Sequence, residues 1–308
     1  MPNADKSIMK SYPDKKIIIS LFFVTLISCY LGRQVEWQAQ RISTHSQNEA
    51  MVLNAIQNPT FQNLTFGFAG TIALDNTIQS SVNKNFSGDY SGLFANTKFL
   101  NMPDITFANL ELSTSNLNSN SQAIPALKKA GIDIVSITNN NASDADFQNT
   151  LKQLSESGIL YCGTETAATF EQPTIIIQNG NKVGFICFSN ASNPEFDSII
   201  KSAKSQVDDL VVAFNSENQT NPNSSQQENI SERAVDDGAD MVIGGTPNNT
   251  QNIQVYKDVN ILPNLGNLIS DQSKLQGSFV TATLKNKTFT NVVPYTIVLD
   301  KNFAPSLE

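Results

Sequence analysis

Residues 128–144 constrain the fold of this chain more than any other segment. They begin as a helix that Gly131 can end, continue as the apolar run at residues 132–137, and finish in side-chain amides at residues 139–141. Glycine suits the left-handed position after a helix, and continuous apolar runs suit strands that are covered on both faces. The segment therefore predicts a buried strand that ends in a polar loop built like a metal site.

The same alternation continues through the region from residue 61 onward. Apolar, strand-like runs occur at residues 64–68, 104–108, 132–137, 159–162, 174–177, 183–188, 210–214 and 241–243. Helical patterns lie at residues 123–130, 146–157, 194–205 and 226–237. Turn residues predict two hairpins, one at residues 179–180 and one around residues 285–287. Periodicity alone predicts an α/β fold.

The residues that could perform chemistry are mostly neutral. A second polar loop, GGTPNNTQ at residues 244–251, follows an apolar run, while the one histidine, His45, lies in a polar linker. Histidine and carboxylate side chains hold Zn, Mn and Fe, whereas amides and hydroxyls are weak donors for these metals. Serine and cysteine triads also need a histidine inside the folded domain, so the sequence excludes them.

Five short motifs follow one another in a specific order. They are FAGTIAL at residues 68–74, Asn109-Leu110-Glu111, Asn139-Asn140-Asn141, Thr246-Pro247-Asn248, and Asn264-Leu265-Gly266-Asn267-Leu268. In this order they resemble the bacterial CapA family of capsule and poly-gamma-glutamate synthesis proteins, a branch of the metallophosphoesterase-like fold. The resemblance implies a four-layer α/β/β/α sandwich of the calcineurin-like type. The N-terminal membrane anchor expected before this domain rests on the apolar run at residues 17–31.

The resemblance also identifies replaced residues. Thr71 stands where the family has a metal-binding aspartate, and Asn141 stands for the histidine of Asn-Asn-His. Thr246 and Asn248 stand for the histidines of His-Pro-His. The resemblance implies a cleft in which most metal-ligand positions of the family have been replaced. Its residues are Thr71, Asn109, Glu111, Asn140, Asn141, Asp144, Asn215, Thr246 and Asn248.

Few charged ligands remain at these positions. A two-metal phosphoesterase needs several anionic or imidazole ligands that clamp two cations roughly 4 Å apart. Glu111 is the one family ligand position that still has a carboxylate. Asp144 lies three residues after Asn141, which replaces a family histidine. Another family histidine aligns with Phe214 or Asn215. We therefore expect no metal, no cofactor and no catalytic residue. We also expect neutral partners, the amides of residues 139–141 and the hydroxyl group of Thr246, to hold Glu111 in its ionised form.

Two functions follow from this reading. The first is a catalytically inactive CapA-like protein of the cell envelope, acting in capsule or exopolymer assembly or binding, with an envelope polymer or an envelope protein as its partner. The alternative is a hydrolase or transferase with an unorthodox oxygen-ligand site around Glu111, holding Mg or Ca.

The N-terminus predicts a membrane partner and an outward-facing domain. An apolar run at residues 17–31 follows four lysines, and this flanking charge keeps the N-terminus in the cytoplasm. We expect a cytoplasmic tail at residues 1–16, a transmembrane anchor or signal segment at 17–32, a stalk at 33–60 and the CapA-like domain at 61–308. Two alternatives stay open, a lipoprotein at Cys29 and a cleaved signal peptide.

Composition limits the partners further. The net charge of -8 and the pI near 4.7 argue against nucleic acid and against an electrostatic grip on a polyanion. Besides Cys29, the chain has Cys162 and Cys187, which could form a disulfide outside the cell. The apolar run around Cys187 favours a small buried thiol instead.

Overall fold

The computed structural model describes residues 62–111, 122–138, 144–163, 172–188, 194–215, 224–245, 250–271 and 277–308. The predicted tail, anchor and stalk lie outside these residues. Within the described part of the chain, no helix is long and apolar enough to cross a membrane.

The larger of two sheets has eight strands. Their bounds are β1 Leu64–Ala73, β2 Ile105–Glu111, β3 Ile134–Thr138, β4 Leu160–Cys162, β11 Asn267–Ile269, β12 Gly277–Lys285, β13 Thr288–Leu299 and β14 Pro305–Leu307. The order is β14-β13-β12-β1-β2-β3-β4, and β11 also pairs with β1. Strands β1 to β4 are parallel, so their carboxyl ends meet at one edge of the sheet.

The smaller sheet has six strands. Their bounds are β5 Thr174–Gln178, β6 Asn181–Phe188, β7 Asp209–Asn215, β8 Met241–Gly245, β9 Gln254–Tyr256 and β10 Val259–Leu262, in the order β5-β6-β7-β8-β10-β9. Both predicted hairpins are confirmed. Asn179 and Gly180 link β5 to β6 with positive φ angles of 54° and 79°, and Asn286 and Lys287 link β12 to β13 in the same way.

Five α-helices accompany the sheets in the described residues. They are α1 Asn76–Asn85, α2 Ala123–Ala130, α3 Asp144–Glu156, α4 Phe196–Lys204 and α5 Ser224–Asp236, with 3-10 turns at Tyr90–Phe94 and Lys98–Asn101. Four of them confirm predicted helices to within two residues. Helix α1 was not predicted, because its residues are mostly polar and give no clear apolar stripe. Asp75 caps it by accepting a 2.9 Å hydrogen bond from the Ile78 amide.

Buried apolar residues form three clusters. The first contains residues of α1, α2 and α3 together with the larger sheet, and the third contains residues of α4 and α5 together with the smaller sheet. The second lies between the sheets, where the rings of Phe107 and Phe185 stack with their centroids 5.9 Å apart. This packing confirms a mixed α/β fold with two sheets.

A disulfide joins the two sheets. Cys162 at the end of β4 pairs with Cys187 of β6, with 5.3 Å between their Cα atoms, and both side chains are buried. The expectation that Cys187 is a free buried thiol is therefore wrong, because the packing of β4 against β6 cannot be read from local sequence. Closing a loop with a sequence separation of 25 contributes about 3 kcal/mol in the chain-entropy model.

Aspartates sit just before the parallel strands and bind their neighbours. Asp104 accepts a hydrogen bond of 2.8 Å from the Thr65 amide, and Asp133 accepts one of 3.0 Å from the Thr106 amide. In the smaller sheet, Asp240 accepts a 2.6 Å hydrogen bond from the Leu210 amide. These carboxylates satisfy backbone donors at the amino ends of strands, opposite the end where the polar loops lie.

Asp209, the first residue of β7, is the exception at this end of the sheets. Its side chain is fully buried, and neither carboxylate oxygen has a hydrogen-bond partner in the described part of the chain. Burial, followed by the nearby charge of Asp240, raises the pKa of Asp209 to about 6, while Lys204 acts in the opposite direction. Ionised Asp209 therefore costs stability at neutral pH.

We predict that this carboxyl group makes the fold less stable as the pH rises from about 5 to 7. A folded-state pKa near 6, above the unfolded value, gives stability that is present at low pH and is lost through pH 6, by about 1 kcal/mol over this range. Asp209→Asn removes this dependence in thermal unfolding followed by circular dichroism. The exposed Asp236→Asn serves as the control, and an unchanged pH profile in Asp209→Asn would contradict the assignment.

Candidate functional site

A cleft opens at the carboxyl ends of the parallel strands, between the two sheets. It is small, with a cavity volume of about 30 Å³, and part of it is open to solvent. Its described lining combines strand ends from both sheets with the segment before β11: Ala69, Gly70, Thr71, Phe107, Asn109, Ser136, Phe188, Ala213, Phe214, Ile243, Gly244, Gly245, Asn264, Leu265 and Gly266. Ligands of open α/β sheets bind at this edge, so this is the candidate site.

Three neutral side chains cross one wall of the cleft as a polar row, defined as Thr71, Asn109 and Ser136. They occupy register-matched positions on β1, β2 and β3. The Ser136 hydroxyl donates a 2.6 Å hydrogen bond to Asn109 Oδ1, and Asn109 Nδ2 donates one of 3.1 Å to Thr71 Oγ1. Thr71 and Ser136 are buried, so the polar row is a fixed part of the cleft wall.

The segment before β11 closes against the end of β1. Gly266 accepts a 2.9 Å hydrogen bond from the Thr71 amide through its carbonyl oxygen, and its own amide donates to Asn264 Oδ1 at 3.0 Å. A Cβ atom on Gly70 would lie 2.2 Å from that Gly266 carbonyl oxygen. Glycine is required at position 70 because the two backbones approach too closely for any side chain.

Glu111 lies at the end of β2, two residues beyond Asn109. Burial, followed by the negative charge of Asp75, raises the pKa of Glu111. This direction is opposite to the expectation that neutral partners hold the carboxylate in its ionised form. The expected partners, at residues 139–141 and Thr246, lie outside the described residues.

The structure brings Thr71 and Asn109 of the predicted site into direct contact. Four other predicted site residues lie outside the described residues: Asn140, Asn141, Thr246 and Asn248. Asp144 is the first residue of α3 and Asn215 is the last residue of β7, and the positions of these two side chains also lie outside the description. The assembly of the full site therefore stays a prediction. The contact between Thr71 and Asn109 is the part that the structure describes.

The predicted site did not include Ser136, Asn264 or Gly266, although Asn264 and Gly266 belong to the family motif at residues 264–268. Ser136 is a polar residue inside the apolar run at residues 132–137, which was the available signal. Its partnership with Asn109 depends on the register of β3 beside β2, which local sequence does not encode. The role of Gly266 depends on β11 pairing with β1 across most of the chain.

The described cleft residues do not fit a two-metal centre. The oxygens of the polar row are neutral and already take part in hydrogen bonds with one another, and neutral hydroxyls and amides are poor ligands for Zn, Mn or Fe. Among the family positions of the cleft whose side chains are described, Glu111 alone offers a carboxylate. Within the described ranges, no three His, Cys, Asp or Glu residues are grouped closely enough to hold a metal.

These features define a two-sheet α/β protein whose cleft is built from hydrogen-bonding groups. Residues 65–272 match the model of the bacterial capsule synthesis protein family PGA_cap. The chain belongs to this family, and the CapA relationship predicted from the sequence motifs is confirmed.

Two curated relatives carry capsule-related names. The chain is 27% identical over 186 residues to capsule biosynthesis protein CapA of Bacillus anthracis, covering 51% of this chain and 44% of that protein. It is 26% identical over 180 residues to PGA biosynthesis protein CapA of Bacillus subtilis, covering 51% and 47%. The matched region thus spans about half the length of these relatives.

A solved structure of a Vps29 variant from Entamoeba histolytica is also similar. It is 13% identical, covers 64% of this chain and 92% of its own, and superposes with a TM-score of 0.32. A score at this level supports no conclusion about the present chain.

We predict that Glu111→Gln makes the protein more stable than the unaltered chain near pH 8. A raised folded-state pKa means that stability is lost as the pH rises through it, and glutamine cannot ionise. The difference in midpoint temperature should shrink toward pH 4, where the glutamate is protonated. Glu156→Gln, at an exposed position of α3, is the control. A Glu111→Gln variant that is less stable at every pH would show that the carboxylate has favourable partners.

Proposed function

We propose that this chain acts in capsule or exopolymer assembly as a membrane-anchored, outward-facing binding protein that does not catalyse hydrolysis. The observation that carries this proposal is the polar row, in which Thr71 and Asn109 satisfy each other where a metal centre would need charged ligands. Family membership and the capsule-related names of the two CapA relatives support the biological setting.

The architecture supports a finer assignment of the fold. Helices pack on the outer face of each sheet, and the second apolar cluster lies between the sheets. This order corresponds to the four-layer sandwich of metallophosphoesterase-like proteins, with the cleft at the strand ends where such enzymes work. We therefore propose a protein with this fold in which the cleft retains its shape but its metal-binding side chains are replaced by neutral ones.

The absence of catalysis is proposed from the donor set. Phosphoester hydrolysis by a two-metal centre needs bound water activated by cations, and this requires several anionic or imidazole ligands. At the described positions the chain offers a threonine and an asparagine, together with one half-buried carboxyl group, that of Glu111. These groups are suited to holding a polar ligand by hydrogen bonds.

The outward location rests on two features. The apolar run at residues 17–31 follows four lysines, which favours an N-terminus inside the cell. The Cys162–Cys187 disulfide is of a kind that persists in oxidising compartments. Lipidation at Cys29, or cleavage of the segment as a signal peptide, would lead to the same side of the membrane. The proposed partners are the membrane, through the N-terminal helix, and an envelope polymer or envelope protein.

One observation favours a second candidate, a hydrolase or transferase centred on Glu111. Burial, followed by the charge of Asp75, raises the pKa of its carboxyl group, and a carboxyl group with a raised pKa is typical of an acid catalyst. This candidate requires an activity that depends on the Glu111 carboxyl group.

Deletion and complementation in the source cell separate the two candidates. Deleting the gene should reduce surface polymer, and expression of the full chain should restore it. The Glu111→Gln variant should restore polymer equally well, because a binding role does not use this carboxyl group. Protease added to intact cells should remove the domain at residues 61–308.

Three outcomes would contradict parts of this proposal. Unchanged surface polymer after deletion would overturn the role in assembly. A stable Glu111→Gln protein that fails to restore polymer would favour the catalytic candidate. A domain that is protected from protease in intact cells, and is digested only after lysis, would reverse the topology.

A further inference from the structure

The hydrogen bonds of the polar row all run in one direction. Ser136 donates to the Asn109 carbonyl group, and the Asn109 amide group donates to the Thr71 oxygen. A hydroxyl group that accepts a hydrogen bond keeps its own proton to donate, and an amide group has a second N–H. Among the described residues, the Thr71 hydroxyl has no acceptor. The row therefore ends in donors, on residues that line the cleft.

The surroundings of these donors are apolar and uncharged. The described lining has no Asp, Glu, Lys, Arg or His side chain, and most of its larger side chains are apolar: Phe107, Phe188, Phe214, Ile243 and Leu265. A carboxylate or phosphate that entered this space would lose its hydration without gaining a cation, which opposes its binding. A neutral carbonyl oxygen would gain the missing hydrogen bonds without that cost.

Charge near the cleft points to the same kind of ligand. Glu111 lies two residues beyond Asn109, at the end of β2. The chain as a whole has a net charge of -8. Poly-gamma-glutamate has a carboxylate on every unit, so these charges oppose its entry. A neutral polymer meets no such barrier.

We propose that the cleft binds the N-acetyl group of a neutral, N-acetylated glycan of the cell envelope. The acetamido carbonyl oxygen accepts hydrogen bonds from the Thr71 hydroxyl and the free Asn109 N–H, and the methyl group packs on the apolar lining. This assignment rests on the proposed role in polymer binding and names the chemical group that is recognised. The acetamido group is small, neutral and half apolar, which suits a small cleft with a mostly apolar and uncharged lining.

Isothermal titration calorimetry on the full chain tests this assignment. Triacetylchitotriose is the probe, and cellotriose, which has the same backbone linkage without acetamido groups, is the ligand control. We expect binding of triacetylchitotriose and none of cellotriose. Thr71→Val, which removes the hydroxyl group at nearly constant shape, should weaken binding by about 3- to 10-fold, the effect of one neutral hydrogen bond. Thr71→Ser should retain binding.

A matched variant separates binding from folding. Thr106→Val also removes a buried threonine hydroxyl group, one that donates to the Leu100 carbonyl oxygen at 2.8 Å near the start of β2. It should lower the midpoint temperature of unfolding and leave the affinity for triacetylchitotriose unchanged. Equal loss of affinity in Thr71→Val and Thr106→Val would mean that Thr71 acts only through stability, which overturns the assignment.

Two further results would overturn the assignment while leaving the proposed assembly role standing. One is equal affinity for triacetylchitotriose and cellotriose, or no affinity for either. The other is tighter binding of poly-gamma-glutamate that Thr71→Val does not alter. The assembly role itself is judged by surface polymer in the deletion strain, so the two failures are distinguishable.

Discussion

The parallel register of β1, β2 and β3 is the constraint on which the cleft depends. It places Thr71, Asn109 and Ser136 side by side, and a slip of one residue would turn each side chain to the opposite face. The register is held by packing between the sheets, where Phe68 and Phe107 lie in the same cluster two or three residues before the polar row. Core packing and cleft chemistry are thus set by the same strands.

Charge is distributed unevenly between the two ends of the sheets. At the amino ends, Asp133 pairs with Lys128 and Asp240 pairs with Lys204, at distances of 2.7 and 2.6 Å. Such partly exposed pairs contribute little free energy each, so their main effect is to satisfy the carboxylates that bind strand amides. The carboxyl ends form a cleft whose described lining is neutral. This separation lets the cleft change its ligand chemistry while the opposite end maintains the fold.

The local sequence pattern was sufficient to predict most of the helices and strands, and the motifs were sufficient to predict the family. Apolar runs predicted β1 to β8 in part or in full, and a glycine after a helical pattern predicted the end of α2 at Gly131, whose φ is 109°. Long-range pairing accounts for what was missed. The Cys162–Cys187 disulfide, the place of Ser136 in the polar row and the approach of Gly266 to Gly70 all depend on segments that are distant in sequence.

The central claim is that the cleft works by hydrogen bonding from neutral side chains, with no metal centre. Elemental analysis of the full chain, purified without chelators and passed through gel filtration, tests it most directly. The account predicts far less than one equivalent of Zn, Mn or Fe per chain, together with no turnover of a generic phosphodiester when these metals are added. One or two equivalents of metal retained through gel filtration, with hydrolysis of the phosphodiester, would contradict it.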